Sequence, residues 1–121
     1  FLDVTANNNV LGLYCASDLV ITQFSSAGVE ASYMGVPTLY VLFNDLAKRY
    51  LMTNKGYDSL PWWQAGCAFV IEEENEIEDV LDSAIFDEQS RKAVCCNFQN
   101  RFVSNKNSAR TIAAHIRSAV A

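Results

Sequence analysis

Histidine is almost missing from this chain: His115 is the only one in 121 residues. A Ser-His-Asp triad or a histidine-rich metal site has almost nothing to draw on. Cysteine is sparse and badly spaced for metal. Cys15, Cys67, Cys95 and Cys96 form no C-x-x-C pair, and the adjacent Cys95 and Cys96 fall in a helical stretch. No metal site and no cofactor is expected, and the thiols read as buried, reduced residues of a cytosolic protein. No apolar run approaches the ~20 residues that cross a bilayer, and no signal peptide is visible. Positive charge is also short: nine Lys and Arg face fourteen Asp and Glu, a net charge of −5. That argues against a nucleic-acid backbone or an anionic membrane surface as the main partner. A single nucleotide stays open, because backbone N–H groups and a helix dipole can hold it without Lys or Arg. An initiating Met is lacking too; the chain starts directly in the apolar FLDV and reads as a piece of a longer protein.

What is present is a well-filled single domain over residues 1–121. Half of the residues are hydrophobic and 19% are charged, so the chain can bury a core. Phe1 to Val4 reads as a short strand. Asn9 caps a helix from Val10 to Ala16 that groups Leu11, Tyr14 and Cys15. Asp18 to Thr22 and Thr38 to Phe43 are continuous apolar strands, the pattern of a sheet covered on both faces. Between them Ser26 to Met34 is a short helix, ended by Gly35 with Pro37 behind it. Asn44 or Asp45 caps a helix to about Asn54. An aromatic segment with Trp62 and Trp63 follows, then a third strand, Cys67 to Ile71. The acidic Glu72 to Glu76 run introduces a helix whose Ile77, Val80, Leu81, Ala84 and Ile85 form an apolar stripe. Two more helices cover about Asp87 to Val103, with Val94, Cys95, Phe98 and Phe102 on one face, and Ser108 to Val120, with Ile112, Ile116 and Val120.

Strands alternating with helices predict an α/β domain: a three-layer, Rossmann-like parallel sheet of three to four strands flanked by helices. The C-terminal ends of such strands form the rim where ligands bind. The segment QFSSAGVE lies on that rim. Ser25 and Ser26 suit a helix N-cap, and Gly28 leaves room for another molecule to approach the backbone. The first helical N–H groups lack intrahelical acceptors and carry partial positive charge, so a phosphate or diphosphate fits there. Glu30 either favours the helix dipole or reaches a ligand. A capping box needs serine three residues earlier, where Ala27 stands, so the local role fits less well. A carboxylate on this rim can accept hydrogen bonds from both hydroxyls of a ribose.

These residues carry a resemblance. SSAGVEA followed by MGVPT, behind the strand YCASDLVIT, resembles the S/T-x-x-x-E-A…G-x-P segment of GT-B glycosyltransferases. That segment belongs to their C-terminal, nucleotide-sugar-binding domain. Transferases of the MurG kind, UDP-N-acetylglucosamine 2-epimerases and CDP-glycerol polymer transferases use versions of it. The resemblance is strong from about Leu11 to Phe43. It implies a nucleoside diphosphate sugar as ligand, most readily a UDP-sugar, with Ser25, Ser26, Ala27 and Gly28 facing the diphosphate and Glu30 on the ribose. It implies no metal. It also implies two further strands, a Gly-rich loop and a whole N-terminal domain outside this chain, so this chain alone is not expected to turn over substrate. The full-length protein would be cytoplasmic or peripheral at the inner membrane. Phe1 to Val4 would be displaced, pair with Asp18 to Thr22, or pair with another copy, which gives a homodimer through the exposed edge or the truncated face.

Other residues carry less. Asp45 and Lys48 lie on the expected rim and either touch a donor sugar or form a solvated first turn. Trp62 and Trp63 read as anchors for their loop before they read as a stacking platform. Glu72 to Glu76 precedes a helix, where acidic residues serve the dipole. Two other functions stand beside the transferase: an epimerase-like domain that shares the donor site, and a non-catalytic α/β domain for regulation or assembly.

Overall fold

The structure is a computed structural model. It describes residues 9–23, 25–43, 46, 49, 53, 60–103 and 107–120. The strand expected at Phe1 to Val4, and Asp45 and Lys48 in the helix expected from Asn44 or Asp45, lie outside the described residues.

The chain forms an α/β unit around a three-stranded parallel sheet flanked by helices. Helix α1 (Val10–Cys15) opens it, with Asn9 accepting the Gly12 N–H at 3.0 Å as a side-chain cap. Strand β1 (Val20–Thr22) leads to α2 (Ser26–Tyr33) and β2 (Thr38–Val41). A short α3 (Pro61–Gln64) precedes β3 (Phe69–Ile71). A 3-10 turn (Glu74–Glu76) runs into α4 (Ile77–Phe86), followed by α5 (Glu88–Phe102) and α6 (Ser108–Val120). The sheet order is β1-β2-β3, with Ile21 beside Leu39 and Leu39 beside Phe69.

Side chains alternate across this sheet, so Val20, Thr22, Thr38, Tyr40 and Val70 share one face. Two right-handed crossovers stepping the same way along a sheet place their helices on one face. The packing agrees. Tyr14, Ala31 and Val36 form one buried cluster with Val20 and Ala27, and Tyr40, Leu42 and Ala68 form another with Trp62, Trp63 and Val70. Both tryptophans therefore pack their segment onto the sheet, with Trp63 and Tyr40 ring centroids 5.2 Å apart. A buried polar bridge joins helix to strand: Ser32 Oγ lies 3.1 Å from Thr38 Oγ1 and donates to the Gly28 carbonyl at 2.9 Å.

Helices α2 and α3 end alike. Gly35 and Gly66 take left-handed φ values of 81° and 64°. The N–H groups of Gly35 and Val36 return to the Ser32 and Ala31 carbonyls, and those of Gly66 and Cys67 to Trp63 and Trp62. This double closure lets each helix turn sharply into the next strand. Helix α5 braces both corners. Cys95 Sγ donates to the Gly35 carbonyl at 3.4 Å and Asn97 Nδ2 to the Gly66 carbonyl at 3.1 Å. Gln99 Nε2 reaches the Ser32 and Tyr33 carbonyls, and Phe98 is buried edge-on to Tyr33.

Several expectations need correction. Strand β1 is shorter than Asp18 to Thr22, and Ile21 is 56% exposed, so β1 is not covered on both faces. In α1 only Tyr14 is buried; Leu11 and Cys15 are exposed. Among the four thiols only Cys67 is fully buried; Cys95 is half-buried, and Cys15 and Cys96 face solvent. The α4 stripe buries Ala84 but leaves Ile85 42% exposed. Among the described residues no helix is long and apolar enough to cross a membrane.

Candidate functional site

The rim at the C-terminal end of β1 is built by the first turn of α2. Ser25 is the N-cap, in extended conformation, and its Oγ accepts the Ala27 N–H at 3.2 Å. The Gly28 N–H makes a long 3.3 Å bond to the Ser25 carbonyl. The N–H of Ser26 has no acceptor among the described residues, as expected for the first turn of a helix. Both serines are exposed, and no acidic residue occupies this turn. An anion meets exposed hydroxyls, an unpaired donor and the positive end of the helix here.

Glu30 stands one turn on, four residues from Ser26, so the two share one exposed side of α2. Its carboxylate does not close a capping box. Instead Oε2 accepts a long hydrogen bond, 3.5 Å, from the hydroxyl of Tyr14 on α1. Burial, then the Glu30 charge and the hydrogen bond to it, push the Tyr14 hydroxyl above its ordinary value. Tyr14 is the site residue that sequence reading missed as such. It was visible only as one member of an α1 face, and its partner lies sixteen positions away in sequence.

The two small residues of the turn have inward tasks. Ala27 packs beside the Tyr14–Ala31–Val36 cluster. Gly28 is buried, and a Cβ there would sit 2.4 Å from Tyr40 Oη, 2.7 Å from its Cζ and 2.9 Å from Thr22 Cγ2. The space that glycine leaves is taken by Tyr40 from below; the expected approach of an outside molecule does not explain this residue. Tyr40 itself is fully buried, and its hydroxyl has no hydrogen-bond partner among the described residues, nor do the Trp62 and Trp63 indole N–H groups. Burial pushes the Tyr40 hydroxyl up to about 12, against a smaller downward pull from the nearby Trp62 indole N–H, which does not meet hydrogen-bond geometry with it.

The structure thus brings Ser25, Ser26 and Glu30 together on an open rim and turns Ala27 and Gly28 inward, while Asp45 lies outside the described residues. The other candidates sit apart from it. Glu73 and Glu76 form a reciprocal capping box at the start of the 3-10 turn, the local role that the acidic run allowed. His115 is exposed on α6 and lines a cavity of about 480 Å³ with Arg110, Thr111, Ala114 and Ser118. A second cavity, about 280 Å³, lies at the opposite end of the strands, between Gly35, Pro37 and the Arg91–Cys96 side of α5. Among the described residues no three His, Cys, Asp or Glu side chains converge as metal ligands.

No family model, no curated protein and no solved structure matches this chain.

Proposed function

We propose that this chain is the donor-binding portion of a GT-B-type glycosyltransferase, holding the diphosphate and ribose of a nucleoside diphosphate sugar. The observation that carries the reading is the placement of Ser25, Ser26 and Glu30. Two exposed hydroxyls stand at the positive end of an eight-residue helix, and a carboxylate stands one turn along the same side. Diphosphate charge is met by the Ser26 N–H, the two serine hydroxyls and the helix dipole, which also stabilises the leaving group as the sugar departs. The ribose hydroxyls donate to Glu30, whose Oε2 also accepts the long hydrogen bond from Tyr14. A UDP-sugar is the ligand the resemblance favours.

One observation favours a non-catalytic α/β domain instead. Ala27 and Gly28 are accounted for by packing alone, which removes two of the turn's small residues from the argument for a ligand. Isothermal calorimetry with UDP, CDP, GDP and ADP separates the two. Binding of at least one diphosphate, weakened tenfold or more by Glu30→Ala, is expected. Silence from all four at millimolar concentration refutes the donor site, and binding indifferent to Glu30→Ala removes the ribose contact.

A further inference from the structure

Helix α6 leaves its apolar stripe exposed. Ile112 and Ile116 are each 59% exposed and Val120 is 82% exposed, while the more polar side lines the cavity beside His115. A stripe of this kind is stable in water only when something covers it. The charge on α6 narrows what that is. It carries Arg110 and Arg117 and no acidic residue, on a chain of net charge −5. Helix α4 is its complement: Glu78, Asp79 and Asp82 with no basic residue, and Ile85 and Phe86 exposed at 42% and 77%. On the α-helical wheel Ile85, Glu78, Asp82 and Phe86 fall on one continuous side, opposite the buried Ala84. Arg110 and Arg117 likewise flank one edge of the Ile112–Ile116–Val120 stripe.

We infer that α6 docks on the exposed side of α4 in a second copy of the chain, apolar residues meeting apolar and the two arginines meeting the carboxylates. A single contact between helices this short falls below the roughly 1,000 Å² that a stable interface clears. A reciprocal pair, in which each copy gives one α6 and receives another, makes the contact twice and closes the assembly. The interface uses no residue of the α2 rim.

Sedimentation equilibrium of the 121-residue chain tests this. A reversible dimer is expected, weakened by added salt. Ile116→Asp on α6 and Phe86→Asp on α4 each weaken it tenfold or more. Both sites are exposed, so circular dichroism and melting should be unchanged. A monomer up to about 0.5 mM overturns the inference. So does dimerisation indifferent to Phe86→Asp, or binding to anionic phosphatidylserine vesicles without self-association.

Discussion

Replacing Gly28 with alanine sets two opposing effects against each other at one site. Alanine favours a helix interior over glycine by about 1 kcal/mol. Against this, the new Cβ falls 2.4 Å from Tyr40 Oη and 2.9 Å from Thr22 Cγ2, where ordinary contacts begin near 3.4 Å. The tyrosine has nowhere to go: it is fully buried and its ring leans on Trp63. Relief requires α2 to lift off the sheet by about 1 Å, and overpacking of that kind costs about 1–3 kcal/mol. Gly28→Ala is therefore expected to destabilise by about 1 kcal/mol net. Tyr40→Phe behaves differently. It removes a buried hydroxyl without a partner, so it is expected to be neutral or to stabilise by up to about 1 kcal/mol. In the double variant the clash with the hydroxyl is gone, while the ring carbon at 2.7 Å and Thr22 Cγ2 at 2.9 Å remain, so part of the alanine penalty disappears. Urea titrations of the four proteins give the cycle, and a coupling of about 1 kcal/mol between the positions is expected. If Gly28→Ala stabilises by the helix preference alone, or if the two changes simply add, the glycine is not there for Tyr40.

Two further outcomes follow from the same contacts. The Tyr40 hydroxyl ionises near 10 when unfolded and at about 12 when folded, so its contribution is intact below pH 10 and is lost as pH rises toward 12. Melts between pH 9 and 12 should show stability falling by on the order of 1–2 kcal/mol over that window, with a shallower fall in Tyr40→Phe; the Tyr14 hydroxyl and the Cys67 and Cys95 thiols, also shifted upward, supply the remainder. Gly35→Ala forces a side chain to φ 81° in open space, with no packing to offset it, and should lower stability by about 1 kcal/mol in the same urea assay.

Much of the layout was readable from residues because its signals are local. Asn9, Ser25 and Gly35 act on their own neighbours, and the apolar strands at Val20, Thr38 and Phe69 interrupt helical spacing clearly. The exposed part of the candidate site was readable for the same reason: Ser25, Ser26 and Glu30 follow from helix position alone. What escaped was long-range. Gly28 could be read as open to a ligand because nothing near it in sequence announces Tyr40, twelve residues later and across a strand. The bracing role of α5 escaped because it runs through Cys95, Asn97 and Gln99, three side chains that bond turn and helix-end carbonyls, and apolar periodicity does not register such contacts. Ile21 looked like a core strand residue since hydropathy does not say which face of a strand the rest of the fold covers.

The bracing has a consequence for how the chain acquires its shape. Each helix-to-strand corner closes with contacts only a few residues apart, so both can form early and repeatedly during synthesis. Neither is pinned until residues 95–99 have emerged and coiled, some sixty positions after Gly35 and thirty after Gly66. The parallel sheet thus depends on a late-arriving clasp. Chains shortened before Asn97 should retain helical signal yet lose the cooperative melt. In the finished molecule the clasped end should exchange its amide protons slowest, while the rim bearing Ser25 and Ser26 remains the freer end.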